Sequence, residues 1–501
     1  MTSSHATLSR ETLQLPRERL LSFLQQRRWF AAKGQTPNDA RVSSLIPVFS
    51  PDERSAIAVV DIELDNGVQQ YQLPLVVRRR EEVSPSSGSV IAELDGGRGL
   101  LVDATEDPRF RELLGEALQH GARFSSGEAV VTLEPIAERR ARITESRVGS
   151  AEQSNSSIIY DDRAILKLFR RLEVGESPDV EISRFLTTRT SFPNVPALLG
   201  VMRLTSGGRS MVAGMMSEYL PGSSDAWSHA LGRVRAYLKA PPKTEPANPF
   251  GTEMAELGRV TRALHESLAS HPEDPGFSAT PVTDDDLSAW GEAARKSVTT
   301  GLDLLESQLR AGRLQGQSLA IAEATIKRRA GAFTRITEVL ADPRSARDRG
   351  RKTRHHGDFH LGQVLRTRDG KWLVIDFEGE PSRPLEERRA PNSPLRDVAG
   401  MLRSFAYAAA AGAMETGGLG RDSVVETRTA RWERAARTSF VDGYLEAPPT
   451  ERTPVPVGDR DYVDSVITLF EIEKVFYELA YELNNRPDWV WIPLRGIAKL
   501  F

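Results

Sequence analysis

The chain has 501 residues, of which 39% are hydrophobic and 27% charged, with a formal net charge of −3 and no cysteine. This length is too great for one ordinary hydrophobic core, so we expect a soluble globular protein of two or three domains. The small net charge argues against nucleic-acid binding. The lack of cysteine excludes disulfides, thiolate metal sites and a cysteine nucleophile.

No run of apolar residues approaches the ~20 that a membrane-spanning helix needs. The N-terminal residues Met1–His5 also lack the basic segment and apolar core of a secretory signal. We therefore expect a cytoplasmic protein with no membrane partner.

The first 110 residues have the pattern of a small α+β unit. Apolar positions at helical spacing predict a helix at Glu18–Leu24. Apolar runs predict three strands, at Val42–Val48, Ala56–Leu64 and Gln69–Val77. An Asp-Asn-Gly sequence at 65–67 separates the last two and is typical of a hairpin turn. We interpret residues 1–110 as an N-terminal cap domain with a structural role.

Residues 111–220 have the pattern of a β-rich lobe suited to a nucleotide. A strand at Ala164–Phe169 carries Lys167 among apolar residues, and an unpaired lysine there is costly. We therefore expect Glu181, in the first turn of a following helix, to pair with Lys167. The alternative is that Glu181 is a first-turn acid favoured by the helix dipole.

A small polar connection precedes this lysine-bearing strand. In a kinase such a connection covers the phosphates of the nucleotide. It lacks the usual glycines, so a plain turn is the alternative. The candidate residues are Gln153, Ser154, Asn155, Ser156 and Ser157.

A strand at Gly214–Leu220 ends in Pro-Gly and leaves this lobe, where a kinase hinge is expected. Adenine would be recognised there by backbone groups of Ser217, Glu218 and Tyr219. Residues 221–501 then form a mostly helical lobe, with helical periodicity at Ala226–Leu238, Met254–Ser267 and Leu302–Leu340.

One segment of the helical lobe carries most of the chemistry. Three of the eight histidines fall within His355–His360. Asp358 lies five residues before Gln363, and Asp376 follows a short apolar run that predicts a buried strand. Asp376 is therefore expected beside the loop that holds the other two.

Phosphoryl transfer from ATP requires this set of groups. Asp358 would accept the proton of the attacking hydroxyl, and Gln363 with Asp376 would hold Mg²⁺. His356 and His360 are further catalytic candidates. Two alternatives stay open, because clustered His and Asp could bind zinc in a metal hydrolase, or form a solvated surface loop.

The last long helix has two different faces. Ile472, Val475, Phe476, Leu479, Ala480 and Leu483 form an apolar face. The opposite face carries Lys474, Tyr477, Glu478 and Tyr481, and aromatic rings beside hydrogen-bonding groups suit a sugar. Tyr407 is a further candidate for the substrate site. A solvated face with i,i+4 pairs is the alternative.

The spacing of His356-Gly357-Asp358 and Gln363 resembles the catalytic loop of aminoglycoside-phosphotransferase-like kinases, which act on small molecules. Over essentially its whole length, the chain resembles the bacterial maltokinases, a family often fused to or paired with trehalose synthase. The stretches that carry this resemblance are Arg28–Gly34, Gln153–Ser157, Asp179–Leu186, His356–Gln363, Asp376–Pro381, Ser393–Phe405 and Lys474–Ile497.

The resemblance implies an α+β, bilobal protein-kinase-like fold with an extra N-terminal α+β cap. It implies ATP and Mg²⁺ as cofactors, maltose as acceptor at its anomeric hydroxyl, and trehalose synthase as a partner to consider. By position, Asp358 would be the base and His360 would lie near the acceptor. Competing hypotheses are a kinase for another small sugar such as glucosamine, a kinase for aminoglycosides, and a non-catalytic kinase-like partner of trehalose synthase.

Overall fold

The structure, a computed structural model, describes residues 15–32, 34–49, 54–83, 88–94, 99–136, 143–149, 154–241, 248–341, 348–417 and 423–501. The chain divides into two compact units. The first comprises Met1–Thr187 with Pro196–Pro221, and the second Thr188–Val195 with Gly222–Phe501. The division into three domains at 110 and 220 stays a prediction. Among the described residues, no helix combines the length and apolarity required to cross a membrane.

The N-terminal part of the first unit is an antiparallel sheet with a helix on it. Its elements are α1 (Arg17–Gln25), β1 (Asp39–Pro47), β2 (Ser55–Leu64), β3 (Gly67–Arg79), β4 (Val90–Leu94) and β5 (Gly99–Asp103), with strand order β1-β2-β3-β5-β4. Leu20 and Leu24 of α1 are fully buried against the sheet. Gly67 has φ of 126°, a conformation that favours glycine and that closes the predicted hairpin.

The second sheet of this unit holds the lysine-bearing strand. The elements of this part of the chain are α2 (Pro108–His120), β6 (Ala122–Ser126), β7 (Ala129–Pro135), β8 (Ser146–Val148), β9 (Ser156–Tyr160), β10 (Ala164–Leu168), β11 (Arg171–Leu172), α3 (Pro178–Arg189), β12 (Leu198–Ser206) and β13 (Arg209–Glu218). The strand order is β6-β7-β12-β13-β10-β9-β8, while β11 pairs with β3 of the first sheet. Because β10 lies between β9 and β13, Lys167 stands opposite Ser157 on one side and Met215 on the other.

The second unit is mainly helical. Its helices are α4 (Ala226–Lys239), α5 (Gly251–Leu268), α6 (Asp284–Arg310), α7 (Gly316–Lys327), α8 (Arg329–Leu340), α9 (Leu385–Arg389), α10 (Leu395–Glu415), α11 (Ser423–Leu445), α12 (Arg460–Asn485) and α13 (Trp491–Leu500). Its strands are β14 (Ser224–Asp225), β15 (Thr280–Pro281), β16 (Arg351–Lys352), β17 (Val364–Arg366) and β18 (Trp372–Val374), paired as β14-β17-β18 and β15-β16.

Helices α5 and α11 approach closely through two glycines. A Cβ atom at Gly258 would lie 2.1 Å from the Phe440 carbonyl oxygen, and one at Gly443 would lie 2.1 Å from that of Ala255. Only glycine fits at both positions, so the backbones of these helices are in direct contact.

Candidate functional site

The predicted catalytic loop is held in place by a buried acid at the start of α10. Asp397 accepts hydrogen bonds from the backbone N–H groups of His356 (2.7 Å) and Gly357 (2.9 Å). Its carboxylate is 3.0 Å from Nε2 of His265, whose Nδ1 lies 2.9 Å from the Tyr444 hydroxyl. Burial by itself raises the pKa of Asp397. The hydrogen bond from His265 and the adjoining histidines outweigh burial and hold that pKa well below its usual range.

The ring of His356 links two backbone segments. Its Nε2 donates to the carbonyl oxygen of Ile375 (3.0 Å), and its Nδ1 accepts from the N–H of Asp358 (3.3 Å). The ring centroid lies 5.2 Å from that of Phe359 and 5.1 Å from that of Phe377. Both ring nitrogens therefore orient the backbone on either side of the loop.

Asp358 extends from this loop with its side chain one-quarter exposed. Its Oδ1 is 3.4 Å from the ammonium of Lys474, and its Oδ2 is 3.9 Å from Nε2 of His360. The other ring nitrogen of His360 accepts from the N–H of Gly362 (3.0 Å). Burial lowers the pKa of His360, so its ring favours the neutral form beside Asp358.

The two predicted magnesium ligands lie on adjacent backbone segments. The carbonyl oxygen of Gln363 accepts from the N–H of Ile375 (3.0 Å), which brings its segment beside Asp376. Asp376 has φ of 68°, a left-handed conformation that is unusual for a residue other than glycine and is often retained at functional sites. A carboxylate oxygen of Glu378 lies within 4.8 Å of one of Asp376. Hard oxygen donors of this kind fit Mg²⁺.

A polar cavity of about 100 Å³ adjoins Asp358. Its charged and aromatic lining residues include Asp358, Glu380, Arg383, Arg396, Glu473, Lys474 and Tyr477. Glu380 pairs with Lys474 and with Arg383 (2.8 Å). Burial raises the pKa of Glu380, but these two cations outweigh burial and lower its pKa to about 2.

A further acid of the cavity lining, Glu473, is also paired with cations. Glu473 pairs with Arg383 (3.2 Å) and Arg396 (2.9 Å). Glu380 and Glu473 are thus both paired with cations, and the lining of the cavity carries charges of both signs. Of these charged groups, Asp358 and Lys474 are predicted from the sequence, whereas Glu380, Glu473 and their arginine partners are not.

The predicted substrate residues of α12 have different environments. Lys474 and Tyr477 line the cavity, and Tyr481, one turn further along the helix, is 45% exposed. Glu478 instead accepts hydrogen bonds from Nε (3.0 Å) and Nη2 (2.7 Å) of Arg403.

Tyr407 is likewise engaged away from the cavity. Its hydroxyl donates to Glu482 (3.1 Å), and its ring stacks on that of Trp489 with centroids 6.4 Å apart. A direct substrate contact of Tyr407 or Glu478 stays a prediction.

In the first unit, Lys167 is largely buried and pairs with an acid from the first turn of α3. Its ammonium is 3.4 Å from the carboxylate of Asp179, which is only 4% exposed. The pairing of Lys167 with Glu181, which the sequence pattern favours, stays a prediction. Asp179 was missed, although it lies in the same helical turn.

The predicted phosphate-covering connection is described only in part. Gln153 lies outside the described residues. Nδ2 of Asn155 donates to the hydroxyl of Ser154 (3.3 Å), and Ser156 accepts from Nε of Arg170 (2.8 Å). Ser157 is buried in β9.

The predicted hinge, Ser217–Tyr219, spans the end of β13. The N–H of Glu218 donates a hydrogen bond to the carbonyl oxygen of Ala197 (2.9 Å). The N–H of Tyr219 donates one to the carbonyl oxygen of Arg163 (2.9 Å). Ser217 is paired within the sheet, opposite Ile165. Adenine recognition at these residues stays a prediction.

The pH dependence of stability should reveal a buried histidine of the catalytic loop. Burial lowers the pKa of His355 from 6.5 to about 4, so the unfolded chain binds a proton at a higher pH than the folded chain does. Stability should therefore fall as the pH drops from about 6.5 to about 4, by up to about 3 kcal/mol from this group.

This expectation can be tested by urea unfolding of the wild type and of His355→Gln between about pH 7 and pH 4.5. The variant should lose this part of the pH dependence, while His120→Gln, a change at an exposed histidine, should keep it. Equal pH dependence in the wild type and His355→Gln would contradict the burial of a neutral imidazole.

Comparisons with known proteins agree with this architecture. A profile of the maltokinase N-terminal cap domain matches residues 23–107. A glucosamine kinase of Streptacidiphilus jiangxiensis is 26% identical over 410 residues, which cover 81% of this chain and 84% of that protein. A glucosamine kinase of Mycolicibacterium smegmatis is 26% identical over 430 residues, which cover 81% of this chain and 96% of that protein.

Solved structures share the fold. A glucosamine kinase in crystal form B has a TM-score of 0.64 at 24% identity, covering 93% of this chain and 94% of that chain. A glucosamine kinase in complex with glucosamine, ADP and inorganic phosphate has a TM-score of 0.64 at 23% identity. The match covers 97% of this chain and 100% of that chain. The predicted α+β, kinase-like fold with an N-terminal cap is confirmed. The cap-domain match and the similarity to glucosamine kinases along most of the chain support a sugar kinase of maltokinase-like type, a phosphotransferase.

Proposed function

We propose that the chain transfers the γ-phosphoryl group of ATP to the anomeric hydroxyl of maltose, giving maltose 1-phosphate and ADP. The observation that carries this proposal is the carboxylate of Asp358 at the wall of a polar cavity large enough for part of a sugar. Asp376 and Gln363 lie on the neighbouring backbone segments, where a phosphate-bound cation would be needed.

In the proposed step, the anomeric oxygen of maltose forms a bond to the γ-phosphorus. The bond between this phosphorus and the oxygen that bridges to the β-phosphate breaks, and ADP leaves. Asp358 accepts the proton of the attacking hydroxyl and passes it to solvent. Mg²⁺ held by Asp376 and Gln363 would offset the charge of the phosphates. Lys167 and the 154–157 connection would bind the nucleotide.

The charge pattern of the cavity supports an uncharged acceptor. Glu380 and Glu473 are both paired with cations, so the cavity offers hydrogen-bonding groups without a strong net field. The ring of Tyr477 at its rim can pack on the C–H face of a sugar. The match to a maltokinase cap domain supports maltose among neutral sugars. A reaction that builds α-glucan from trehalose would then consume the product, with trehalose synthase as the partner that supplies maltose.

A second candidate acceptor is glucosamine. Two curated relatives at 26% identity are glucosamine kinases, which supports a small aminosugar as the alternative. The paired state of the cavity acids favours the neutral sugar over this alternative.

The test is a transfer assay with ATP and Mg²⁺ on maltose, glucose, trehalose and glucosamine, with the linkage of the product read by phosphorus NMR. We expect phosphate on C1 of maltose and the highest kcat/KM for that sugar. A higher kcat/KM for glucosamine than for maltose would show that glucosamine, and not maltose, is the acceptor. No transfer to any sugar, with intact nucleotide binding, would contradict the kinase proposal and favour a non-catalytic partner of trehalose synthase.

Tyr481 provides a test of where maltose extends beyond the cavity. It is exposed one helical turn from Tyr477, so Tyr481→Ala should remove a ring that packs on the second glucose unit. We expect the KM for maltose to rise on the order of fivefold, which corresponds to about 1 kcal/mol, with little change in the KM for ATP. Tyr481→Phe keeps the ring and should behave as the wild type. A rise in the KM for ATP alone would move the acceptor site elsewhere.

A further inference from the structure

The ammonium group of Lys474 is enclosed by the acids of the acceptor cavity. It is 3.4 Å from Oδ1 of Asp358 and forms an ion pair with Oε1 of Glu380. It also lies 5.3 Å from the ring centroid of Tyr477, within the range of a cation–π contact. The Lys474 side chain is three-quarters buried, so its charge is directed into the cavity and not into bulk water.

Two other cations of the cavity pair with its glutamates and not with Asp358 in the hydrogen bonds and ion pairs described. Arg383 pairs with Glu380 and Glu473, and Arg396 pairs with Glu473. Among the described lysines and arginines, Lys474 is the cation that contacts Asp358. Loss of its ammonium would therefore leave Asp358 without this cation and Glu380 with Arg383 alone, next to the reacting hydroxyl.

Two carboxylates and an aromatic ring around one ammonium are the groups that would bind a protonated amine of a ligand. In this chain the protein itself supplies the amine. A cationic acceptor would meet a like charge at this position, and juxtaposed like charges strongly disfavour a partner. A neutral sugar would meet a donor of hydrogen bonds.

We propose that Lys474 determines acceptor specificity because its ammonium occupies the position that the amine of an aminosugar would take. The inference rests on the proposed function and names its acceptor class: neutral sugars are accepted and protonated aminosugars are rejected. Substituting Lys474 by an uncharged residue, with Asp358 and Glu380 kept, should make the site accept an amine.

The first arm of the test measures kcat/KM for glucose and glucosamine, which differ at C2, in the wild type and in Lys474→Met. Methionine keeps much of the length of the lysine stem without its charge. We expect the ratio of glucosamine to glucose to rise about tenfold or more, in line with the loss of a like-charge contact. N-acetylglucosamine, whose nitrogen is uncharged, should show no such rise. Lys371→Met is the matched control, since Lys371 is 70% exposed and pairs with Asp369.

The second arm does not depend on sugar phosphorylation. Lys474→Ala should leave room for a small cation, so methylammonium chloride should raise its melting temperature relative to equal concentrations of sodium chloride. The wild type and Lys371→Ala should show no difference between the two salts. Methylammonium should also inhibit glucosamine phosphorylation by Lys474→Ala competitively.

The outcomes separate the two proposals. A wild type that phosphorylates maltose, with an unchanged glucosamine-to-glucose ratio in Lys474→Met, overturns the role of Lys474 alone. A folded Lys474→Ala that does not respond to methylammonium overturns the amine position. A wild type that phosphorylates no sugar overturns the proposed function, while a methylammonium response would still support an amine position at Glu380.

Discussion

Asp358→Asn is expected to lower kcat for phosphoryl transfer by on the order of 10²- to 10⁴-fold, the range typical for loss of a general base. The asparagine amide fills the same space and still accepts a hydrogen bond, but it cannot take the proton of the acceptor hydroxyl. The KM values for ATP and for the acceptor should change little, because the rest of the cavity and the nucleotide groups keep their partners. Single-turnover kinetics with ATP and maltose would measure the chemical step directly.

The fold should tolerate this change. The backbone N–H of Asp358 is bonded to the His356 ring independently of the carboxylate, and the Asp358 side chain is one-quarter exposed. Circular dichroism and the melting temperature should therefore match the wild type. Asp369→Asn, a change at an exposed acid close by in the chain, is the matched control and should keep full kcat. Full activity of a well-folded Asp358→Asn would remove Asp358 as the base.

The local patterns of the sequence predicted much of the fold. Apolar runs predicted β1, β2 and β3 of the N-terminal sheet to within a few residues, since alternation and an Asp-Asn-Gly turn act over short distances, but β4 and β5 were not predicted. The apolar stretch before Asp376 contains β18, which ends at Val374, one residue before the end of the predicted strand Leu373–Ile375. The opposed faces of the last long helix also follow from its periodicity, because Tyr477 and Tyr481 are exposed and Val475 and Leu479 are buried.

Boundaries inside long helical regions were harder to predict. The periodic stretch Leu302–Leu340 is carried by the end of α6 and by α7 and α8. Gly312 and Gly316 have φ of 64° and 55°, left-handed values that interrupt a helix at little cost in glycine. The periodicity of apolar residues alone does not predict such a break in a helix, because apolar residues continue on both sides of it.

The partners of the site residues could not be derived from spacing. Glu380 and Glu473 are 94 and 1 residues from Lys474 in the chain, and both belong to the same charge network. Glu478 shares a helical face with Lys474 on a wheel, but its carboxylate is bound by Arg403 from α10. A helical wheel shows on which face of the helix a residue lies. Which side chain of another element contacts that residue depends on tertiary packing.

The contacts of Asp397 could not be derived from the sequence either, and a substitution of Asp397 is expected to have a large effect on kcat. Its position after Pro394 predicts a first-turn helical acid, and that signal gives no reason to expect two bonds to the catalytic loop. Asp397→Asn would keep one acceptor oxygen but would point an N–H₂ group at the other backbone N–H or at His265. Loss of one such buried bond costs about 2 kcal/mol of stability.

We expect Asp397→Asn to lower kcat by about 10²-fold, because a shift of the loop near 1 Å moves the base out of line with the acceptor. A purely structural role would lower the melting temperature and leave kcat of the remaining folded enzyme unchanged, so both quantities should be measured well below the melting temperature. Asp461→Asn is the matched control, since Asp461 is an exposed acid in the first turn of another helix, α12. A folded Asp397→Asn with the kcat of Asp461→Asn would show that the loop keeps its catalytic geometry without this carboxylate.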